Sequence, residues 1–291
     1  MTRSDIPQEF KDYARRLLGA ERYARFAQAL DEDPSVSVRL NPFKAVWSGL
    51  LAEDLNGVDG SVPWASGEGC YLSERPPFTF DPLFHAGCYY VQEASSMFVE
   101  QVLRQYVESP VVMLDLCAAP GGKSAQLGQA LQGQGLLVSN EIVPGRTQIL
   151  CGNLERMGIE NALITSMEPE ALCSSTGPVF DRVLVDAPCA GEGMFRKDPQ
   201  AAAEWAPEHV RSCARRQRSI LMSAQKTLKP GGMLVYSTCS FSPEENEETV
   251  EWFLSACPDF TLEQCRTLYP HNSLGEGQFA ALLRRQGPLL P

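Results

Sequence analysis

No apolar run in this 291-residue chain approaches the ~20 residues of a membrane span. The polar start, Met1-Thr-Arg-Ser-Asp5, has no apolar core of an export signal. The chain therefore reads as soluble and cytoplasmic. Also lacking is any CxxC pair, although there are ten cysteines, at 70, 88, 117, 151, 173, 189, 213, 239, 257 and 265. That absence argues against a zinc ribbon and a redox dithiol, and no metal site is expected. Without an export signal a disulfide framework has no basis, so most of the ten read as buried thiols filling space. An excess of basic charge is missing too. The net charge of −11 suits a nucleic-acid partner poorly, because phosphate binding draws on lysine and arginine. The deficit is uneven. His209 to Pro243 carries six basic residues (Arg211, Arg215, Arg216, Arg218, Lys226, Lys229) and no acidic one, and five glutamates follow between Glu244 and Glu251. Charge alone leaves a solvated helix face and a phosphate-facing patch equally open.

What is present is a change of pattern at Val111. Before it, residues 8–31 show i, i+3, i+4 apolar spacing in two short helices (Phe10, Tyr13, Ala14, Leu17, Leu18, then Tyr23, Phe26, Ala27, Leu30). Ser35 to Leu40 alternates like a strand, and 60–90, rich in Pro, Gly and aromatics, reads as a loop-rich connector. A helix is expected from Ala94 to about Tyr106. After Val111, apolar strands are expected at 111–116, 135–140, 161–165, 180–185, 232–237 and 278–283. Helices are expected at 123–132, 145–157, 208–228 and 244–255. Continuous apolar strands alternating with helices predict an α/β fold, a doubly wound and mostly parallel sheet, with binding at the C-terminal ends of its strands. No internal repeat or low-complexity tract interrupts it.

Between the first strand and its helix lies Cys117-Ala-Ala-Pro-Gly-Gly-Lys123. With Ser124 it approaches the phosphate-binding pattern GxxxxGK[ST], and Val183-Leu-Val-Asp186 mimics the Mg²⁺-holding strand of such enzymes. The glycine that pattern needs at 117 is absent, and Pro120 stiffens the loop, so a triphosphate site is disfavoured. The other reading is an adenosine-type cofactor without a triphosphate. It calls for an acid at the end of the second strand to take the ribose hydroxyls, and Glu141 stands there.

Two cysteines follow adjacent strands: Cys189 in Asp186-Ala-Pro-Cys189 and Cys239 in Ser237-Thr-Cys-Ser240. Both should face one pocket beside the cofactor. Carbon 5 of a pyrimidine is a poor nucleophile, and methylating it needs covalent help. A thiolate adding to carbon 6 turns carbon 5 into an enamine-like nucleophile that can take the methyl of S-adenosylmethionine. A carboxyl group near N3 supports the charge change. Carbon 5 then loses its proton and the thiol is eliminated, a step in which a second cysteine can assist. The attacking thiol needs a pKa below the free ~8.5.

These motifs make the sequence resemble the Nol/Nop/Sun RNA 5-methylcytosine methyltransferases, most closely their RsmF-type bacterial 16S rRNA branch. The resemblance runs over nearly the whole chain. It includes Val38 to Lys44, Gly87 to Met97, Asp115 to Lys123, Ser139 to Glu141, Asp186 to Pro199, Ser237 to Asn246 and Pro270 to Phe279. It implies a Rossmann-like class I methyltransferase with a small α+β N-terminal domain at 1–90 that contacts RNA, and a catalytic domain at 91–291. Cys117, Ala118, Ala119, Pro120, Gly121, Gly122 and Lys123 would hold S-adenosylmethionine, and Glu141 its ribose. Asp186 would lie at cofactor and target base, Cys239 would be the nucleophile, and Cys189 would help release the product. DNA cytosine methyltransferases use the cysteine of their Pro-Cys motif, so Cys189 is the competing nucleophile; the added Thr-Cys motif favours Cys239.

The chain departs from the family in three places. Position 190 is Ala where the family usually has Ser or Thr. The third-strand acid that contacts adenosine is no clear Asp, with Glu168 the nearest candidate. The usual C-terminal RNA-binding domain is expected to be absent, because the chain stops at Pro291. The implied partner is RNA, small-subunit rRNA above tRNA, with no DNA or membrane and a monomeric state. Arg15, Arg16, Arg22, Arg25, Arg39 and Lys44 are candidate RNA contacts. A non-catalytic RNA-binding or ribosome-assembly factor is the alternative class.

Overall fold

The computed structural model describes residues 6–44, 55, 57–100 and 111–288. The two expected N-terminal helices lie in Gln8–Asp31, labelled together as α1, and meet at Gly19, whose φ of 72° and ψ of 168° leave the helical region. The alternating segment forms β1 (Val36–Leu40). The connector expected at 60–90 is corrected. It contributes β2 (Val58–Ser61), β3 (Gly69–Leu72) and β4 (Tyr89–Val91), which with β1 make an antiparallel sheet in the order β2-β3-β1-β4. These strands were illegible for a physical reason: β3 is buried at all four residues, so it shows no in–out alternation, and β4 is three residues long. The helix expected from Ala94 begins as a 3-10 turn, Ser95–Met97; the part expected beyond residue 100 lies outside the described residues.

Beyond Val111 the expected alternation is realised. In chain order it runs β5 (Val112–Asp115), α2 (Gly122–Ala130), β6 (Leu136–Asn140), α3 (Pro144–Met157), β7 (Ala162–Thr165), α4 (Pro169–Thr176) and β8 (Phe180–Asp186). It continues through α5 (Pro207–Ala224), β9 (Leu228–Thr238), α6 (Glu247–Ala256), β10 (Phe260–Leu268) and β11 (Gln278–Arg285). The seven strands lie in the order β10-β11-β9-β8-β5-β6-β7, all running the same way except β11, which is antiparallel to both its neighbours. After β7 the chain returns past β5 to lay down β8. That reversal opens a crevice at the C-terminal ends of the strands. The sequence reading had no α4 and no β10. β10 is an edge strand with seven consecutive residues that are not buried and a register shift between Leu262 and Gln264, so it carries no apolar signature.

Apolar side chains cover both faces of the sheet. Met113, Leu127, Leu150 and Leu154 pack on one side, and Val183, Val185, Leu221 and Phe253 on the other. The N-terminal helix reaches across to the loops after β8 and β9. Phe10 meets Phe195 at 4.9 Å and Trp205 at 5.3 Å, and Phe26 meets Phe241 edge-on at 5.4 Å. Those contacts brace the loops that carry the two motif cysteines.

Two of the proposed RNA-contacting residues are used inside the fold. The Arg39 guanidinium is 1% exposed, donates to Glu100 at 3.0 Å, and is bound by Glu68 and the Gln129 side chain on α2. Lys44 Nζ donates to the carbonyls of Ala86 at 2.7 Å and Arg156 at 2.6 Å. Replacing Arg39 with alanine strands buried carboxylates without their counter-ion, and urea unfolding should show a loss of about 3–5 kcal/mol. Arg15→Ala, at an exposed i,i+3 pair, should change stability by less than ~0.5 kcal/mol.

Candidate active site

The Gly-rich loop is built by what surrounds it. Asp115, at the end of β5, is fully buried; its Oδ2 accepts from Ser124 Oγ at 2.7 Å, and burial pushes its carboxyl up to about 7. Gly121 caps α2 with φ 115°, in the left-handed region, and a Cβ there would stand 3.2 Å from Leu150 Cδ1. Ala118 N–H donates to the Asn140 carbonyl at 2.8 Å, pinning the loop to the end of β6. Cys117 and Ala119 line the crevice, whereas Pro120 directs its carbonyl to Asn153 Nδ2 at 2.8 Å. Lys123 turns across to Asp186, Nζ to Oδ2 at 2.8 Å.

At the end of β6, Asn140 ties neighbouring strand ends together. Its Nδ2 donates to the Leu116 and Met167 carbonyls, and its Oδ1 accepts from Thr165 Oγ1 and Met167 N–H. Glu141 follows, 3% exposed, with Oε1 accepting from Val143 N–H at 2.9 Å. Its Oε2 stands 3.4 Å from Arg146 Nη1 and keeps lone pairs for a ligand hydroxyl. Glu168 precedes α4 as an exposed residue on the cavity wall, with no side-chain bond to that helix.

The strands β8 and β9 bring the remaining groups together. Asp186 Oδ1 accepts from Ser237 Oγ at 2.6 Å and from Gln278 Nε2 at 3.3 Å, so three side chains fix this carboxylate. The sulfurs of Cys189 and Cys239 lie 3.3 Å apart. The contact with Cys239, with burial, pushes the Cys189 thiol well above its ordinary value. Burial likewise pushes Cys117 up, which keeps it a neutral wall.

All of this surrounds one cavity of about 570 Å³, running from Glu141, Arg146 and Glu168 at one end to Asp186, Cys189 and Cys239 at the other, with Arg216 also on its wall. Its size and mixed lining suit a nucleoside-sized ligand. A buried carboxylate with spare acceptor capacity, set after the second parallel strand, fits ribose hydroxyls, so the residues present fit S-adenosylmethionine. A hollow of about 690 Å³ between α1 and 270–274 contains none of these groups. Among the described residues no cluster of His, Cys, Asp and Glu could hold a metal ion.

Cys117, Ala119, Glu141, Glu168, Asp186, Cys189 and Cys239 thus share one cavity. Ala118, Pro120, Gly121, Gly122 and Lys123 shape it from behind. Sequence reasoning assigned no role to Asn140, Arg146, Ser237 or Gln278. Asn140, Ser237 and Gln278 fall inside motifs quoted for the resemblance, so position was visible and contact was not. No helix among the described residues is long and apolar enough to cross a membrane.

Comparison with known proteins agrees with this geometry. Residues 6–94 match the N-terminal domain of 16S rRNA methyltransferase RsmF. The chain is 32% identical to the ribosomal RNA small subunit methyltransferase F of Pectobacterium atrosepticum, over 100% of this chain and 65% of that protein. With the protein of the same name from Cronobacter sakazakii it shares 36% identity, over 87% of this chain and 54% of that one. The chain therefore spans less than two thirds of the length of these relatives. A crystal structure of a methyltransferase homologue from Pyrococcus horikoshii superposes with a TM-score of 0.78 at 28% identity, covering 96% of this chain and 100% of that one. Residues 102–284 match the family described as 16S rRNA methyltransferase RsmB/F, and the chain belongs to that family.

Proposed function

We propose that the protein is an S-adenosylmethionine-dependent methyltransferase that forms 5-methylcytosine in small-subunit ribosomal RNA. The observation that carries this reading is the pair of sulfurs 3.3 Å apart beside Asp186, in the same cavity as Glu141. Glu141 and the 117–123 loop would hold the cofactor, which supplies an electrophilic methyl group when bound. The target base must leave its stack to reach the thiols, so the substrate is a loop or incompletely assembled RNA.

Cys239 attacks carbon 6 as the thiolate, and the electron pair of the C5–C6 double bond becomes available at carbon 5. Asp186, fixed by Lys123, Ser237 and Gln278, meets the N3/N4 edge of the cytosine, where a proton held between its carboxyl group and N3 steadies the negative charge that develops as sulfur adds. After carbon 5 has gained the methyl group it gives up its proton, the C5–C6 double bond reforms, and sulfur leaves carbon 6. Cys189 donates its S–H to that departing sulfur, easing release. Exposed arginines of α1 and α5, among them Arg16 and Arg215, supply phosphate contacts. Arg39 and Lys44, bound inside the fold, do not.

Glu141→Ala should weaken S-adenosylmethionine binding about 10- to 100-fold by calorimetry, the worth of one or two charged hydrogen bonds. The function itself is tested by transfer of a labelled methyl group to unmodified 16S rRNA, with digestion expected to release labelled 5-methylcytidine. Cofactor binding without transfer would instead indicate an RNA-binding factor.

A further inference from the structure

The loops carrying the two thiols are laced together from both sides. Glu245, fully buried after β9, sends its carboxylate to the Cys189 loop, where the Ala190 N–H donates to Oε2 at 3.0 Å and Oε1 at 3.3 Å. The same carboxylate accepts from Ser240 Oγ at 2.7 Å and from Gln217 Nε2 on α5 at 2.7 Å. It therefore bonds to the residue following each cysteine. In return, Glu192 on the Cys189 loop accepts from Phe241 N–H at 2.7 Å, and Gly193 N–H donates to the Cys239 carbonyl at 2.7 Å. Ala190 has no hydroxyl to offer Glu245; its methyl is buried against the aromatic cluster under α1.

We propose that Glu245 is a positioning residue that keeps Cys189 a neutral thiol aimed at Cys239, so that one sulfur attacks and the other only donates. A buried negative charge disfavours a second one beside it. It also occupies the Ala190 N–H, which fixes the loop that carries Cys189. The titratable groups facing this pair are Cys239, Glu192 on the Cys189 loop, Tyr236 on β9, and Cys213 and His209 on α5. The meaning of the inference rests on Cys239 being the nucleophile, but its test needs no RNA.

The test is iodoacetamide alkylation of the full chain across the thiol titration range, with each cysteine followed by peptide mass spectrometry. In the parent protein Cys189 should lag behind Cys239. Glu245→Gln keeps the shape and removes the charge, and should move the Cys189 midpoint to lower pH, raising its sub-plateau alkylation rate about tenfold per unit moved. Glu245→Asp should restore the parent midpoint. A loosened loop would raise the plateau rate without moving the midpoint. Should Glu245→Gln not fold, Ser240→Ala, which removes a donor that offsets the carboxylate charge, should move the midpoint the other way, to higher pH. An unmoved Cys189 midpoint overturns the proposal. An RNA adduct on Cys189 in the parent protein would instead overturn the nucleophile assignment and leave the midpoint shift standing.

Discussion

Replacing Cys239 with alanine should abolish methyl transfer, a loss on the order of 10⁴-fold or more, and with it any covalent protein–RNA species. Replacing Cys189 with alanine should do something different in kind. The attacking sulfur remains, and the thiol 3.3 Å away that would assist its release is lost. Addition and methylation then proceed while release slows, so a protein–RNA adduct accumulates on a denaturing gel. The two variants differ because the two thiols differ in surroundings. Cys189 precedes an N–H consumed by Glu245, whereas Cys239 sits at the end of β9 beside Ser237, which holds Asp186. Both proteins should melt close to the parent, since each change removes one sulfur from the wall of an open cavity. The opposite gel pattern would exchange the roles.

Asp186→Asn should have the next largest effect. The amide keeps the shape of the carboxylate and an Oδ1 that can still accept from Ser237 and Gln278, but it puts a donor where Oδ2 accepted from Lys123 and removes that lysine's counter-ion. Loss of the preorganised carboxyl group at N3 of the reacting base should lower kcat by about 10²–10³-fold. Stability should fall by about 1–3 kcal/mol, less than for a fully buried pair because the Asp186 side chain keeps 29% of its surface exposed. Lys123 has its pKa raised by Asp186 against the opposing effect of burial. A raised lysine contributes stability that is fully present below its unfolded pKa and is lost only as pH rises through the folded value. The penalty of Asp186→Asn should therefore be flat through neutral pH and shrink only in strong alkali, as read by denaturant titrations at several pH values.

How much of this was legible beforehand follows from what sequence encodes. The parallel strands announced themselves because both faces are covered, which makes Val111–Leu114 and Val183–Val185 continuously apolar. The strand-end placement of Glu141, Asp186, Cys189 and Cys239 then followed from topology. β3 was hidden by the burial of all four of its residues, β4 by its brevity, and β10 by the exposure of its middle. Charge misled in one respect: Arg39 looks like a phosphate contact in the sequence, yet its guanidinium is the buried link between β1 and α2. Contacts between distant segments were beyond reach. Gln278 meets Asp186 across 92 positions, and Glu245 meets Ala190 across 55. Only folding makes them neighbours.

The most direct measurement of the central claim is to map the covalent adduct of the unmodified protein with 16S rRNA containing 5-fluorocytidine. Fluorine at carbon 5 cannot leave as a proton does, so the chain of steps stops with sulfur still bonded to carbon 6. Peptide mass spectrometry should find the nucleotide on Cys239, in a species that forms only with S-adenosylmethionine present as methyl donor and carries its methyl group. An adduct on Cys189, or methyl transfer with no adduct on either cysteine, would contradict the account.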